Sequence, residues 1–490
     1  MKQKTAVIGS GVAGIASAIR LAAKGYEVSV FEKNAEPGGK LAQLKTGGFR
    51  FDKGPSLFTL PEMVEELFLL CNKKPENYFS YRALESSCKY FFEDGTIINA
   101  WQKTDDFANE IAQSCGIAPS RVADFLSKSK RLYEITGEVF LFNSIHKISN
   151  FRLPAYRKAL FHLHELDVFT TMHRKNKKWF KDPRVVQLFD RYATYNGSNP
   201  YKTPATLNVI PHLEHNIGAF FPNKGMYHIV ESLYELAKEM GVRFFFNRPV
   251  DKILIKDKKV SGILTEGEII HFDHVVSDVD VVMLYKHLLP DLPFPKKQLS
   301  LERSSSAMIF YWGIDRQFDD LGLHNILFSH DYKSEFEFLF NRKSISDDPT
   351  VYIFISSKVV QGDAPPGKEN WYVMINAPEN IGQDWNDLVK KARQNIINKI
   401  KRITGIDINN HILTEHIADP VTIEQETASY NGSLYGLSSN NMFAAFYRHP
   451  NSKKSIKNLY FTGGSVHPGG GIPLALASAK IIDREFPVNK

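Results

Sequence analysis

The apolar positions of the chain fall into two periods, and their alternation outlines the fold. Residues 5–8 form a short continuous apolar run that reads as a buried strand. Residues 12–24 are small and aliphatic (Ala13, Ala16, Ala18, Leu21, Ala22) and read as a helix, stopped by Gly25 where a left-handed C-cap is expected. Residues 27–32 read as a second strand ending on Glu32. Residues 56–70, with Pro61 near the start and Met63, Val64, Leu67 and Phe68 on one face, predict a helix. Residues 80–101 predict strands around the turn Glu93-Asp94-Gly95-Thr96, and residues 104–180 are mainly of helical period. The β/α pattern resumes at 221–225. An amphipathic helix over 226–240 presents Ile229, Val230, Leu233, Leu236, Ala237 and Met240 on one side, and Gly241 ends it. Residues 242–246 predict the third strand of the sheet begun by the first two. Residues 249–255, 260–264 and 274–277 predict a small β-meander. Strands are expected at 307–313, 350–356 and near 411–416, with a hydrophilic helix at 384–404. Residues 458–462 return to the first sheet, and a helix follows from about Leu474 with Pro473 in its first turn.

Two glycine-rich turns join strand to helix at opposite ends of this pattern. Gly9, Gly11 and Gly14 fill G-x-G-x-x-G between the first strand and the first helix. The first two glycines admit a tight turn and close approach of a pyrophosphate, and the third lets the helix pack on the strand. Phosphates would sit on the helix N-terminus at Val12 and Ala13, where free N–H groups and the helix dipole favour anions. Glu32 is placed to accept hydrogen bonds from a ribose diol and to repel a 2′-phosphate. Gly38-Gly39-Lys40 and Gly54-Pro55-Ser56 follow. The second turn is Gly463-Gly464-Ser465-Val466-His467-Pro468-Gly469-Gly470-Gly471-Ile472-Pro473. Two such turns point to one large cofactor held by both ends of the chain, and hence to an oxidoreductase.

Composition narrows the class. The chain has 490 residues, 43% hydrophobic and 23% charged, enough for two or three globular domains. Cys71, Cys88 and Cys115 have no metal-ligand spacing, so neither a metal nor a disulfide framework is expected, and a reducing compartment is. The N-terminus runs directly into the cofactor strand, which predicts no signal peptide, and no apolar run reaches the roughly 18 residues of a spanning helix. No nucleic-acid-binding module is recognisable. The net charge of +7 is uneven: residues 146–184 carry ten Lys or Arg against three Asp or Glu. Phe151, Leu153, Tyr156, Leu160, Phe161, Leu163, Val168, Phe169, Trp179 and Phe180 interleave with them. That segment reads either as a surface for an anionic bilayer or as a solvated helical face around a core stripe.

The stretch 5–55 resembles FAD-containing amine-oxidase-like flavoproteins. Over nearly its whole length the chain is similar to bacterial phytoene-desaturase-type carotenoid desaturases and their isomerase relatives. The resemblance rests on the C-terminal turn and on Asp182-Pro183-Arg184, Tyr195-Asn196-Gly197-Ser198-Asn199-Pro200, Pro222-Asn223-Lys224-Gly225-Met226-Tyr227 and Val276-Ser277-Asp278-Val279-Asp280. It implies an α/β fold: a discontinuous Rossmann-like FAD domain (1–70, 222–285 and 450–490), an α+β substrate domain (71–103 and 286–449) and a helical, membrane-facing lid subdomain (104–221). It implies non-covalent FAD, held by Gly9, Gly11, Val12, Ala13, Gly14, Glu32, Lys33, Gly38, Gly39, Lys40, Gly54, Pro55, Ser56, Val250, Asp278, Gly463, Gly464, Gly471, Ile472 and Pro473. A long polyene substrate and peripheral attachment on the cytoplasmic face of the cell membrane also follow, while protein partners are left unspecified. Val466 and Leu474 depart from the usual pattern and look more like the branch that desaturates 1-hydroxycarotenoids at the 3,4 bond. Phytoene desaturation, carotenoid cis–trans isomerisation, carotenoid oxygenation, oxidation of an amine and a non-catalytic flavin- or lipid-binding scaffold are the alternatives. His467 is the candidate catalytic residue, with a loop-holding role as its competing reading; Arg191, Tyr192 and Tyr195 are candidates for the substrate channel.

Overall fold

The computed structural model describes residues 2–296 and 300–489. Its N-terminal strand, Lys4–Ile8, lies at the centre of a five-stranded sheet. The order is Leu459–Phe461, His274–Ser277, Lys4–Ile8, Glu27–Phe31, Arg243–Phe245, with every pair parallel. Parallel strands are buried on both faces, and the period of two sends alternate side chains to different cores. Val7 and Val30 pack with the helices Val12–Ala23, His228–Glu239 and Ile472–Asp483. Ala6, Ile8 and Phe31 pack against Ile253, Val260 and Ile263 of a three-stranded antiparallel meander, Lys252–Lys256, Lys259–Thr265 and Glu268–His271. The first and last helices of this unit lie side by side, so the two glycine turns meet although more than 400 residues separate them.

A seven-stranded mixed sheet forms the second layer system. Its order is Ile412–Ala418, Ser306–Ile314, Glu369–Ala377, Val351–Phe354, His324–Leu327, Ser86–Phe91, Ile97–Trp101. Met308, Phe310, Trp312, Ile353 and Val373 face a core closed by the helix Trp385–Thr404. The alternate residues Ile309, Tyr311, Tyr352, Tyr372 and Met374 face the cofactor unit. The helices Thr104–Cys115, Pro119–Phe140, Pro154–Phe161, Met172–Phe180 and Pro183–Asp190 make the third part. Among the described residues no helix is long and apolar enough to cross a membrane.

Two expectations need correction. The helix expected over 56–70 is Glu62–Leu70 only; the preceding residues are not helical, with Leu60 at φ of +53°, and Phe58 bridges to Phe220. Residues 274–277 join the parallel sheet rather than the meander, because Val275 and Val276 need two buried faces. Where the β/α pattern resumes, Phe220–Pro222 pairs with Tyr81–Ala83. The strands His324–Leu327 and Glu369–Ala377 are additional to those expected from the sequence.

Candidate functional site

One cavity of about 1000 Å³ runs between the two sheets and the helical part. Gly9, Gly11, Val12, Ala13, Glu32, Lys33, Gly38, Gly39, Lys40, Gly54, Pro55, Ser56, Val250, Asp278, Gly463, Gly464, His467, Gly471, Ile472 and Pro473 all line it. Gly14 alone of the expected set does not. A Cβ there would lie 2.2 Å from the carbonyl oxygen of Gly9, so this glycine serves the contact of helix on strand.

Glu32 is buried at the end of its strand. Its Oε2 accepts from the backbone N–H and the hydroxyl of Ser10, both at 2.8 Å, and its Oε1 accepts from the Asn34 N–H at 2.9 Å. A carboxylate offers about four acceptor positions, so one remains toward the cavity. Asp278 follows the strand His274–Ser277 and lies across the first glycine turn. Its Oδ2 accepts from the Gly14 N–H at 2.9 Å, and a Cβ at Gly11 or Gly463 would lie 2.5 or 2.2 Å from its carboxylate oxygens. Burial pushes its carboxyl up to about 7, against the pull of that N–H and of Lys40. The buried ammonium of Lys40 donates to the carbonyl of Leu434 at 2.6 Å; burial lowers its pKa, with Asp280 and Asp278 opposing.

At the C-terminal turn, Gly471 caps the helix Ile472–Asp483 with φ of +108°. No atom lies within 4 Å of where its Cβ would stand, although it sits in the cavity wall. Backbone without side chain beside open, enclosed space is what a flat ring needs. Gly470 differs: a Cβ there would meet the backbone of Tyr435 at 2.8 Å. Together, the acidic strand end, the bare glycine turns and this gap fit a flavin dinucleotide.

His467 is fully buried, and its Nε2 donates to the Asn143 carbonyl at 2.8 Å. Burial lowers its pKa to about 4. A neutral imidazole tethered this way serves to hold the loop and is a weak base, which favours the loop-holding reading. Val466 lies in the core and Leu474 on the cavity wall. Arg191 and Tyr195 line the cavity, whereas Tyr192 is buried behind it.

Several cavity residues carried no signal in the sequence. Glu214, on the turn His212–Ile217, accepts from Ser87 Oγ at 2.7 Å, from Tyr192 at 3.1 Å and from the Tyr195 hydroxyl, and pairs with Arg191 at 3.5 Å. Tyr311, Tyr352, Tyr372 and Met374 come from strands whose alternation marks one shared face but not what it covers. The far end of the cavity opens between Leu163, Phe169, Met442, Phe443 and Phe446. These are exposed apolar side chains, Phe169 to 87%.

A parallel sheet carrying a dinucleotide turn, closed over by a mixed sheet with an apolar cavity between them, defines a flavin-dependent oxidoreductase. Residues 12–481 match the family of flavin-containing amine oxidoreductases, and the chain belongs to that family. It is an FAD-dependent oxidoreductase. It is 50% identical to a 1-hydroxycarotenoid 3,4-desaturase of Flavobacterium sp. (strain P99-3) over 98% of each chain. It is 30% identical to a 4,4′-diapolycopene oxygenase of Methylomonas sp., over 98% of this chain and 97% of that one. A solved putrescine oxidase with putrescine bound shares the fold, with a TM-score of 0.63 at 13% identity and 99% of each chain covered.

Proposed function

We propose that this chain removes two hydrogens from a 1-hydroxylated carotenoid to make its 3,4 double bond, as a step of carotenoid biosynthesis. The observation that carries this reading is the 50% identity, over 98% of both chains, to an enzyme of that name. The cavity supports it: the part walled by Ile309, Ile326 and Met374, with exposed Leu163, Phe169 and Phe443 at its rim, suits a rigid polyene entering end-on. Non-covalently bound FAD supplies the two-electron acceptor. The protein's part is to hold the polyene against the Gly471-Ile472-Pro473 wall, to keep water out with Ile309, Tyr311, Tyr372 and Met374, and to anchor the dinucleotide through Glu32 and the glycine turns. In this reading the parallel-sheet segments 1–70, 222–285 and 450–490 form the FAD domain. The segments 71–103 and 286–449 form the substrate domain, and 104–221 the lid.

The test is incubation of the holoenzyme with a 1-hydroxylated acyclic carotenoid and, separately, with phytoene. The expected product has lost two hydrogens and absorbs further to the red, from the hydroxylated substrate only. Conversion of phytoene alone moves the chain to the phytoene branch; a changed spectrum at unchanged mass makes it an isomerase; a gain of oxygen makes it an oxygenase.

The same reading puts the cavity mouth on a membrane, at its cytoplasmic face. A carotenoid dissolves in lipid, and the mouth is ringed by exposed Leu163, Phe169, Met442, Phe443 and Phe446. Phe151, Leu153, Leu160 and Phe161 extend this apolar surface, and Arg152, Arg157 and Lys158 are exposed beside it. This narrows the segment read from sequence. Tyr156 and Phe180 are buried, Trp179 packs under Arg121, and Lys175 is half-buried in an ion pair with Asp167 at 2.8 Å. Leu160→Asp with Phe161→Asp is expected to weaken binding to anionic liposomes at least tenfold. Each lost side chain removes about 1.5–3 kcal/mol of burial. Unchanged flotation of the double variant with liposomes would refute this docking face.

A further inference from the structure

A hydroxyl on C1 lies three bonds from C3, one of the two carbons that lose hydrogen. Whatever recognises it must therefore stand beside the reacting centre, at the cofactor end of the cavity and far from the mouth. Burying the hydroxyl there unpaired costs roughly one to two orders of magnitude in affinity. Much of the cavity wall cannot pair with it: Ile309, Ile326 and Met374 are apolar. Glu214 already accepts from Ser87, Tyr192 and Tyr195, and its fourth position is taken by the ion pair with Arg191 at 3.5 Å.

One polar chain starts at the cofactor end. Ser56, next to Gly54-Pro55, lies with its Oγ 2.6 Å from the Tyr352 hydroxyl, which lies 2.7 Å from His324 Nδ1. All three residues line the cavity. His324 is 4% exposed, stacks on Phe354 with ring centroids 5.1 Å apart, and has no protein partner for Nε2. Among the described residues two buried histidine nitrogens of the cavity wall lack a protein partner, His467 Nδ1 and His324 Nε2; the His467 ring is tied to the loop through Asn143, and His324 is the one that ends this polar chain, where an unpaired nitrogen suits a ligand hydroxyl. Arg191, also on the wall, leaves its Nε unpartnered while its other nitrogens donate to Tyr90 and Tyr195.

We propose that His324, oriented by Tyr352 and Ser56, is the hydrogen-bond partner of the substrate's 1-hydroxyl and sets the preference for a hydroxylated end-group. The inference rests on the activity proposed above. Burial lowers the pKa of His324 to about 3, so the ring is neutral, with one nitrogen a donor and the other an acceptor. Which nitrogen carries the proton depends on the direction of the Ser56–Tyr352 bond. An alcohol both donates and accepts, so it answers either tautomer at Nε2.

The experiment compares dissociation constants of the holoenzyme for two carotenoids in liposomes: a 1-hydroxylated acyclic carotenoid and the same polyene without the hydroxyl. Wild type is expected to prefer the hydroxylated compound. His324→Leu is expected to cut that preference by about 10- to 100-fold. His324→Gln, whose amide reaches the position of Nε2, restores a large part of it. Tyr352→Phe, which releases the ring, gives a smaller loss in the same direction. FAD content and melting temperature report folding; if His324→Leu does not fold, the ratio in Tyr352→Phe decides. An unchanged preference in a folded variant, or equal weakening toward both carotenoids, overturns the assignment. Product mass separates this from the activity itself. No loss of two hydrogens by wild type refutes the reaction, whereas that loss together with an intact preference in His324→Leu refutes only the site.

Discussion

Gly14→Val is expected to yield protein that retains almost no FAD and unfolds at markedly lower denaturant than wild type. The position is fixed from two sides. A Cβ would lie 2.2 Å from the Gly9 carbonyl oxygen and 3.1 Å from Asp278 Oδ2. The first neighbour is backbone of the turn that follows the central strand, so it cannot rotate away. Relief requires the helix Val12–Ala23 to lift from the sheet, opening the packing of Val12, Ile15 and Ile19 on Val7 and Val30. Overpacking of this kind costs about 1–3 kcal/mol, and the lifted helix also loses its hydrogen bond from the Gly14 N–H to Asp278. Flavin absorbance per protein and a urea titration check both effects. Wild-type FAD content in this variant would show that the turn does not hold the dinucleotide.

Arg191→Leu is expected to lower stability by about 3–5 kcal/mol, because it leaves Glu214 charged and buried without a counter-ion. In the native protein burial would push the Glu214 carboxyl up. That is the largest single influence, but Arg191, His215 and the hydroxyls of Tyr195 and Ser87 together outweigh it, and the pKa falls below the usual carboxylate value. This group therefore adds stability above its unfolded pKa of about 4.3, and that stability is lost as pH falls through the lower folded value. In the variant the sign reverses. Desolvation then dominates, the folded pKa rises above the unfolded one, and the deficit is largest at neutral pH and shrinks in acid. Denaturant titrations at pH 7 and pH 4 measure the difference. Arg191→Leu with Glu214→Gln is expected to recover most of the loss, since the amide oxygen still accepts from the tyrosines. A single-variant deficit that does not change with pH would rule out an uncompensated charge as its cause.

What could be read from the sequence depended on how local the physical cause was. The strand–turn–helix from Lys4 to Ala23 and the acidic end at Glu32 were legible because a few neighbouring residues enforce them: apolar period, glycine where a side chain would clash, and a carboxylate at a fixed distance along the chain. The order of the parallel sheet was only half legible. Residues 274–277 look like any short apolar strand, and whether such a strand is covered on one face or two is settled by what packs on it. Nothing near Glu214 or His324 in the chain announces a buried ion pair or an unpartnered imidazole.

By itself, the sequence determined a glycine-rich turn at each end of the chain, an α/β scaffold joining them, and a basic, aromatic-rich helical segment, since each of these is set by residue type at short range. Only the tertiary structure decided that Ser56, Tyr352 and His324 share a hydrogen-bonded line, and that Arg191 meets Glu214 across 23 positions of chain. It also decided that the exposed apolar rim joins Leu163 and Phe169 to Phe443 and Phe446. The reason is physical: hydrogen bonds and burial act over a few ångströms in space and are indifferent to separation along the chain, so the residues they join carry no common local signature.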